Sequence, residues 1–253
     1  MFFAILKKKH LIVAVSLFIC IAIIATILFS GAIISTSGYA TRKLPIYRVN
    51  TNEKKVAITF DCAWGTDYTQ SLLDTMQKEK VVCTFFAVEF WVNKHPDFVK
   101  KIDEYGHEWG THSSTHPYMS KLSKSAIEKE LTTSRQAIES ITGKRVEVFR
   151  APYGDYNDLV IDTAKSLGLY TIQWDVDSLD WKDLSASSIC ERVLSRVKNG
   201  SIVLFHNQGL HTYQALPTII SSLKAKGYTF VKVGDLIYRE NYVMLSDGSQ
   251  QLN

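Results

Sequence analysis

Seven short runs rich in β-branched and aromatic residues, at 56–60, 82–86, 108–110, 146–149, 169–173, 201–205 and 228–231, alternate with longer amphipathic segments. This alternation constrains the fold more than any other feature of the chain. The intervening segments 68–80, 96–105, 123–141, 157–167, 186–198 and 213–226 read as helices. Ser123 and Ser185 stand where they can cap two of these helices, and Gly143, Gly168 and Gly227 stand where three should end. Strand–helix units in series imply parallel strands joined by right-handed crossovers, hence either an open doubly wound sheet or a (β/α) barrel.

The reactive side chains separate these two folds. Asp61 follows the first run, His112 the third, Arg150 the fourth, Asp175 and Asp177 the fifth, and His206 the sixth. In a parallel barrel all those strand ends meet at one face, where such enzymes carry their active sites. A structural protein has no reason to deliver so many polar groups to one rim, because each costs free energy when buried without a partner.

A chain of 253 residues holds one domain of about 200 residues and something smaller before it. The small segment is an uncharged run over 11–35, long enough as a helix to exceed the ~30 Å hydrocarbon core of a bilayer. It reads as a transmembrane anchor. Lys7, Lys8 and Lys9 precede it, so residues 1–10 are expected in the cytoplasm and the catalytic domain outside the cell membrane. Arg42 and Lys43 reduce that charge asymmetry and leave the opposite orientation open, and Gly38-Tyr39-Ala40 offers a cleavage site that would make the protein secreted. Residues 36–53 then read as a linker, 54–235 as the catalytic domain and 236–253 as a C-terminal tail.

The formal net charge of +4 is spread along the chain, with no basic stripe interleaved with aromatics, so a nucleic-acid partner is not expected. Oligomeric state is not legible. The four cysteines have no C-x-x-C spacing and form no disulfide framework, and Cys83 and Cys190 read as small buried hydrophobes.

Four segments carry the chemistry. His112-Ser-Ser-Thr-His116 sets two imidazoles at a spacing that, in a helical turn, brings both within reach of one metal ion. Phe149-Arg-Ala-Pro-Tyr-Gly154 presents a guanidinium before a proline-constrained turn. Trp174-Asp-Val-Asp-Ser-Leu-Asp-Trp181 packs three carboxylates and two indoles into eight residues, a composition suited to a sugar site. Ile202-Val-Leu-Phe-His206 ends an apolar strand in a histidine.

With Thr59-Phe-Asp61 these segments, in this order, resemble the five motifs of the polysaccharide deacetylase family, also called NodB homology or carbohydrate esterase family 4. The wording around Asp61 and Trp174 is similar to its sporulation-associated, PdaB-like branch. The resemblance implies a distorted (β/α)7 barrel with zinc, or another divalent ion such as cobalt, held by His112 and His116. It implies Asp61 as catalytic base, Arg150 as the residue orienting it, His206 as general acid and Asp180 as the carboxylate that keeps His206 charged. It also implies a backbone N–H of Tyr153 at the oxyanion, and Trp181 and Leu204 as walls of the acetyl pocket.

One position departs from the family. Its first motif carries a second aspartate, the third metal ligand, where this chain has Cys62. Either Cys62 ligates as thiolate, or Asp67 supplies the carboxylate, or the site binds metal poorly. His95, His107 and His211 match no motif. The leading expectation is a hydrolase removing N-acetyl groups from aminosugars of peptidoglycan. The alternative is a non-catalytic glycan-binding envelope protein, and a third reading is an amidohydrolase for a small non-sugar amide.

Overall fold

The computed structural model describes residues 10, 13, 15–25 and 42–253. They fall into two compact units divided between Thr41 and Arg42. In the first unit 15–25 is helical, and its apolar side chains, Leu17, Phe18 and Ile21 among them, are exposed. Among the described residues no helix is long and apolar enough to cross a membrane, and the rest of the run 11–35 lies outside them.

The second unit is built on one curled sheet. In chain order its strands are β1 (Arg48–Val49), β2 (Lys55–Cys62), β3 (Thr84–Ala87), β4 (Glu108–Thr111), β5 (Val148–Phe149) and β6 (Tyr170–Thr171), then β7 (Val176–Asp177), β8 (Ser201–His206), β9 (Thr229–Phe230), β10 (Tyr242–Met244) and β11 (Ser249–Leu252). From β8 through β2, β3, β4 and β5 to β6 every pairing is parallel. The chain after β6 then crosses to β7, which pairs parallel with β8, so the sheet returns on itself as an α/β barrel. Ile46 bridges to Ile172 within that gap. One edge of β2 takes β8 over its length, so the other is shared by β9 at its start and β3 at its end.

Every run read as a strand contributes to this sheet, and the helices follow the sequence closely. Helix Lys124–Thr142 starts at Ser123, whose hydroxyl accepts from the Ala126 N–H, and ends at Gly143 in the left-handed region. Ser185 caps Ala186–Leu194 in the same way. Their packing gives two apolar layers. Val56, Ile58, Phe60 and Cys62 of β2 face the helices, against Leu72, Leu73 and Met76. Ala57, on the other face, joins Phe86, Val148, Ile172 and Ile202 inside the curl. The period-two alternation of a strand therefore decides which β2 side chains reach the interior, where Thr59 and Asp61 follow Ala57.

Strands also form where no strand was expected. β1 lies in the segment read as a linker, and β10 and β11 make a hairpin in the segment read as a tail, with β11 pairing parallel to β1. β1 in turn pairs with the start of β8 through Arg48 and Ser201. Short strands of two to four residues carry too little periodicity to be seen in sequence.

Candidate active site

The site sits at the C-terminal ends of the parallel strands. Asp61 and His206 are register partners at the ends of β2 and β8, so a carboxylate and an imidazole emerge side by side. Arg150, one residue beyond β5, is fully buried and reaches across the curl. Its guanidinium donates to Asp61 Oδ1 at 2.8 Å, to Thr59 Oγ1 at 2.8 Å and to the Gln173 carbonyl at 3.1 Å. The Phe86 ring lies 4.2 Å beneath the guanidinium carbon. Burial acts to raise the Asp61 pKa, but Arg150, with His112 and His206, holds it below the ordinary carboxylate value. Asp61 is thus an oriented anion throughout the neutral range.

His206 is anchored from the other side. Its Nδ1 is 2.7 Å from Asp180 Oδ1, and its backbone N–H donates to Asp180 Oδ2 at 2.8 Å. The Thr212 hydroxyl also donates to Oδ2, at 2.7 Å. Burial disfavours the imidazolium, yet the hydrogen bond and charge of Asp180, with Asp61 and Asp177, raise the His206 pKa. With Nδ1 committed to Asp180, Nε2 is the nitrogen free to give a proton at the mouth.

His112 and His116 come together by a different route from the one their spacing suggested. They do not lie in a helical turn: the segment is a loop after β4, with Ser113 at φ 72° and His116 at φ 59°. Glu130 holds the loop, accepting from the Ser114 and Thr115 N–H groups at 2.8 Å each. The two rings end 5.0 Å apart between centroids. His112 Nδ1 bonds the Arg150 carbonyl at 2.8 Å, which makes Nδ1 the donor and leaves the Nε2 lone pair 3.6 Å from Asp61 Oδ2. A histidine fixed in this tautomer by a carbonyl is arranged as metal ligands are.

The third ligand is where the metal site falls short. Cys62 is fully buried in the helix-facing layer, one residue out of phase with Asp61, and its sulfur is turned away from the histidines. Burial, and then the charge of Asp61, push its thiol pKa well above the ordinary value, against thiolate ligation. Asp67 is exposed, and its carboxylate accepts from the Gln208 amide rather than joining the pair. Among the described residues no group of three His, Cys, Asp or Glu side chains is placed to hold a metal. The imidazoles fit a divalent ion, and the rest of the donor set does not complete a family-type centre.

The remaining positions divide. Leu204 is buried beside the site, Trp181 is exposed with the Lys182 ammonium over its ring, and Tyr153 is exposed in the left-handed region at φ 59°. Asp177 faces the mouth, its charge acting on Arg150 and His206. Asp175 does not: it accepts from the Ser201 hydroxyl and the Ile202 N–H at the opposite end of β8. One residue before β7, it is on the structural side of the barrel. His107 is buried, with its pKa pushed down to about 4 by burial and Lys232, and is not part of the site. Sequence reasoning missed Thr212, six residues past His206 with no motif to mark it, and Gln173, which acts through its backbone.

The model of the family described as polysaccharide deacetylase matches residues 48–172. A peptidoglycan-N-acetylglucosamine deacetylase of Bacillus cereus is 36% identical over 206 residues, covering 79% of this chain and 94% of the relative. The uncharacterized protein YlxY of Bacillus subtilis is 36% identical over 193 residues, 76% of this chain, and this chain spans 60% of its length. A solved structure of a carbohydrate esterase family 4 pseudoenzyme from Bacillus anthracis superposes with a TM-score of 0.74 at 34% identity, covering 83% of this chain and 73% of that one. A mutant of that pseudoenzyme with restored enzymatic activity gives the same TM-score at 38% identity, covering 76% and 70%.

Proposed function

This chain belongs to the polysaccharide deacetylase family, and we propose that it hydrolyses the N-acetyl group of aminosugars in a cell-envelope polysaccharide, with peptidoglycan as the polymer. The observation that carries the reading is the pairing of two oppositely tuned groups at adjacent strand ends. Arg150 holds the Asp61 pKa down and so favours its anion, while the hydrogen bond and charge of Asp180 raise the His206 pKa and so favour its imidazolium. A base and an acid kept in opposite states side by side suit amide hydrolysis, which needs a proton taken from water and another given to the leaving nitrogen. Asp61 takes the first, and His206 Nε2 gives the second. Arg150 fixes the carboxylate so that one oxygen remains for water, while Leu204 and Trp181 offer apolar surface for the acetyl methyl.

His112 and His116 would hold a divalent ion, with zinc the natural partner of imidazole. Such an ion supplies Lewis-acid polarisation of the acetamide carbonyl. The names of the relatives support a peptidoglycan substrate, carrying N-acetylglucosamine or N-acetylmuramic acid. The uncharged run 11–35 supports a membrane anchor with the barrel outside the cell, and the wording near Asp61 and Trp174 supports a role in sporulation.

A second reading rests on the placement of Cys62. With that thiol in the core, the site resembles one that has kept its cleft and lost a ligand, and the likeness to a pseudoenzyme points the same way. The two readings separate on peptidoglycan fragments incubated with the full chain. Free amino groups that appear on the sugars, and that vanish with chelator, support the deacetylase. Glycan binding that survives both chelator and Asp61→Asn, without deacetylation, supports the binding protein and overturns our proposal.

A further inference from the structure

Four aromatic rings follow one another along the mouth. Trp64 contacts His116 edge-on at 5.1 Å, His116 contacts Tyr153 at 4.6 Å, and Tyr153 stacks on Tyr118 at 4.4 Å and 20°. Trp64 is 61% exposed, and Tyr118 and Tyr153 are each 57% exposed. Large rings left this open are costly in water, and several of them at one rim mark a binding surface.

Both ends of the row are anchored by hydrogen bonds. The Trp64 loop is pinned at the next residue, where the Gly65 carbonyl accepts from Trp91 Nε1 at 2.8 Å and from Asn207 Nδ2 at 2.9 Å. The Tyr118 loop is clamped to the Tyr153 turn: Asp155 accepts from the Ser120 N–H at 2.7 Å and from its hydroxyl at 2.8 Å. Exposed aromatics on such loops present the surface that their mutual contacts leave open without paying to order it on binding.

We infer that Trp64, Tyr118 and Tyr153 form a stacking platform for a glycan chain, engaging sugars beyond the one that enters the acid–base pair. The occupant follows from shape and chemistry. A pyranose ring has an apolar C–H face that packs on an aromatic face, while its hydroxyls stay in water, which suits half-exposed rings. The row is continuous with the catalytic mouth through His116, and three successive centroid steps of 5.1, 4.6 and 4.4 Å separate Trp64 from Tyr118. The inference rests on the reading of the mouth as an aminosugar site.

Calorimetric titration of the full chain with N-acetylglucosamine and with its β-1,4 tetramer, in chelator to prevent turnover, tests it. The tetramer should bind at least about tenfold more tightly than the monomer, a difference of about 1.4 kcal/mol. Trp64→Ala and Tyr118→Ala should each remove most of that advantage and leave monomer binding unchanged, while Trp64→Phe should retain it. Equal binding of the two sugars by the unaltered chain, or a tetramer preference that both alanine variants keep, overturns the platform and leaves the aminosugar reading standing. Binding of neither sugar overturns both.

Discussion

Asp61 and His206 are register partners on the adjacent parallel strands β2 and β8, and each is fixed from its outer side by a buried residue of opposite charge character, Arg150 and Asp180. The pair is therefore set by strand register, which a one-residue slip would destroy by turning Asp61 into the helix-facing layer.

The His206–Asp180 contact fixes a pH dependence. A histidine whose folded-state pKa is raised contributes stability that is fully present below its unfolded value of about 6.5 and is lost as pH rises through the folded-state value. Asp180→Asn removes the charge and keeps an acceptor for Thr212. The alkaline limb of the rate profile should move to lower pH, and the stability gained on acidification through the neutral range should shrink. Rate and denaturant midpoint measured across pH check both, and an unmoved alkaline limb contradicts the assignment of His206 as the acid.

Arg150 is a buried charge whose only anionic hydrogen-bond partner among the described residues is Asp61. Arg150→Met should destabilise the fold by about 3–5 kcal/mol, because it strands a buried carboxylate. Adding Asp61→Asn should restore a substantial part of that loss. Urea denaturation of the two single variants and the double variant gives the coupling, and additive losses would contradict the pairing.

Cys62 faces Leu72 and Met76 rather than the histidines. Cys62→Ala should cost roughly 1 kcal/mol, the size of a small core truncation, and leave zinc affinity unchanged. Thiol reagents should spare Cys62 in the native state. A fall in zinc affinity in the alanine variant would show that the thiolate does reach the metal.

Gly65 lies at φ +55°, where an added Cβ would fall 2.8 Å from the Gln208 side chain. Gly65→Ala should destabilise by about 1 kcal/mol or more through backbone strain and displacement of Gln208. Thermal unfolding checks the size of the effect.

Much of this was legible because β2, β8 and the capped helices are long enough to show their period: 201–205 ending in His206 reads as a strand, and Ser123 to Gly143 as a helix. What was not legible falls into two kinds. β1, β10 and β11 are edge pieces whose pairing depends on distant partners such as Ser201 and Ser249. The others concern direction. Sequence spacing brings Cys62 next to Asp61 and Asp175 next to Asp177, but strand alternation and register send Cys62 into the core and Asp175 to the far end of β8. The histidine pair meets through a loop conformation, with left-handed Ser113 and His116, that no spacing rule encodes.

The most direct test of the account is acetate release from an N-acetylglucosamine oligomer by the full chain with added zinc, compared with its Asp61→Asn variant. The account predicts release by the unaltered chain and a fall of at least about 10²-fold when the base is neutralised. No release by the folded, unaltered chain, or equal release by the variant, would contradict it.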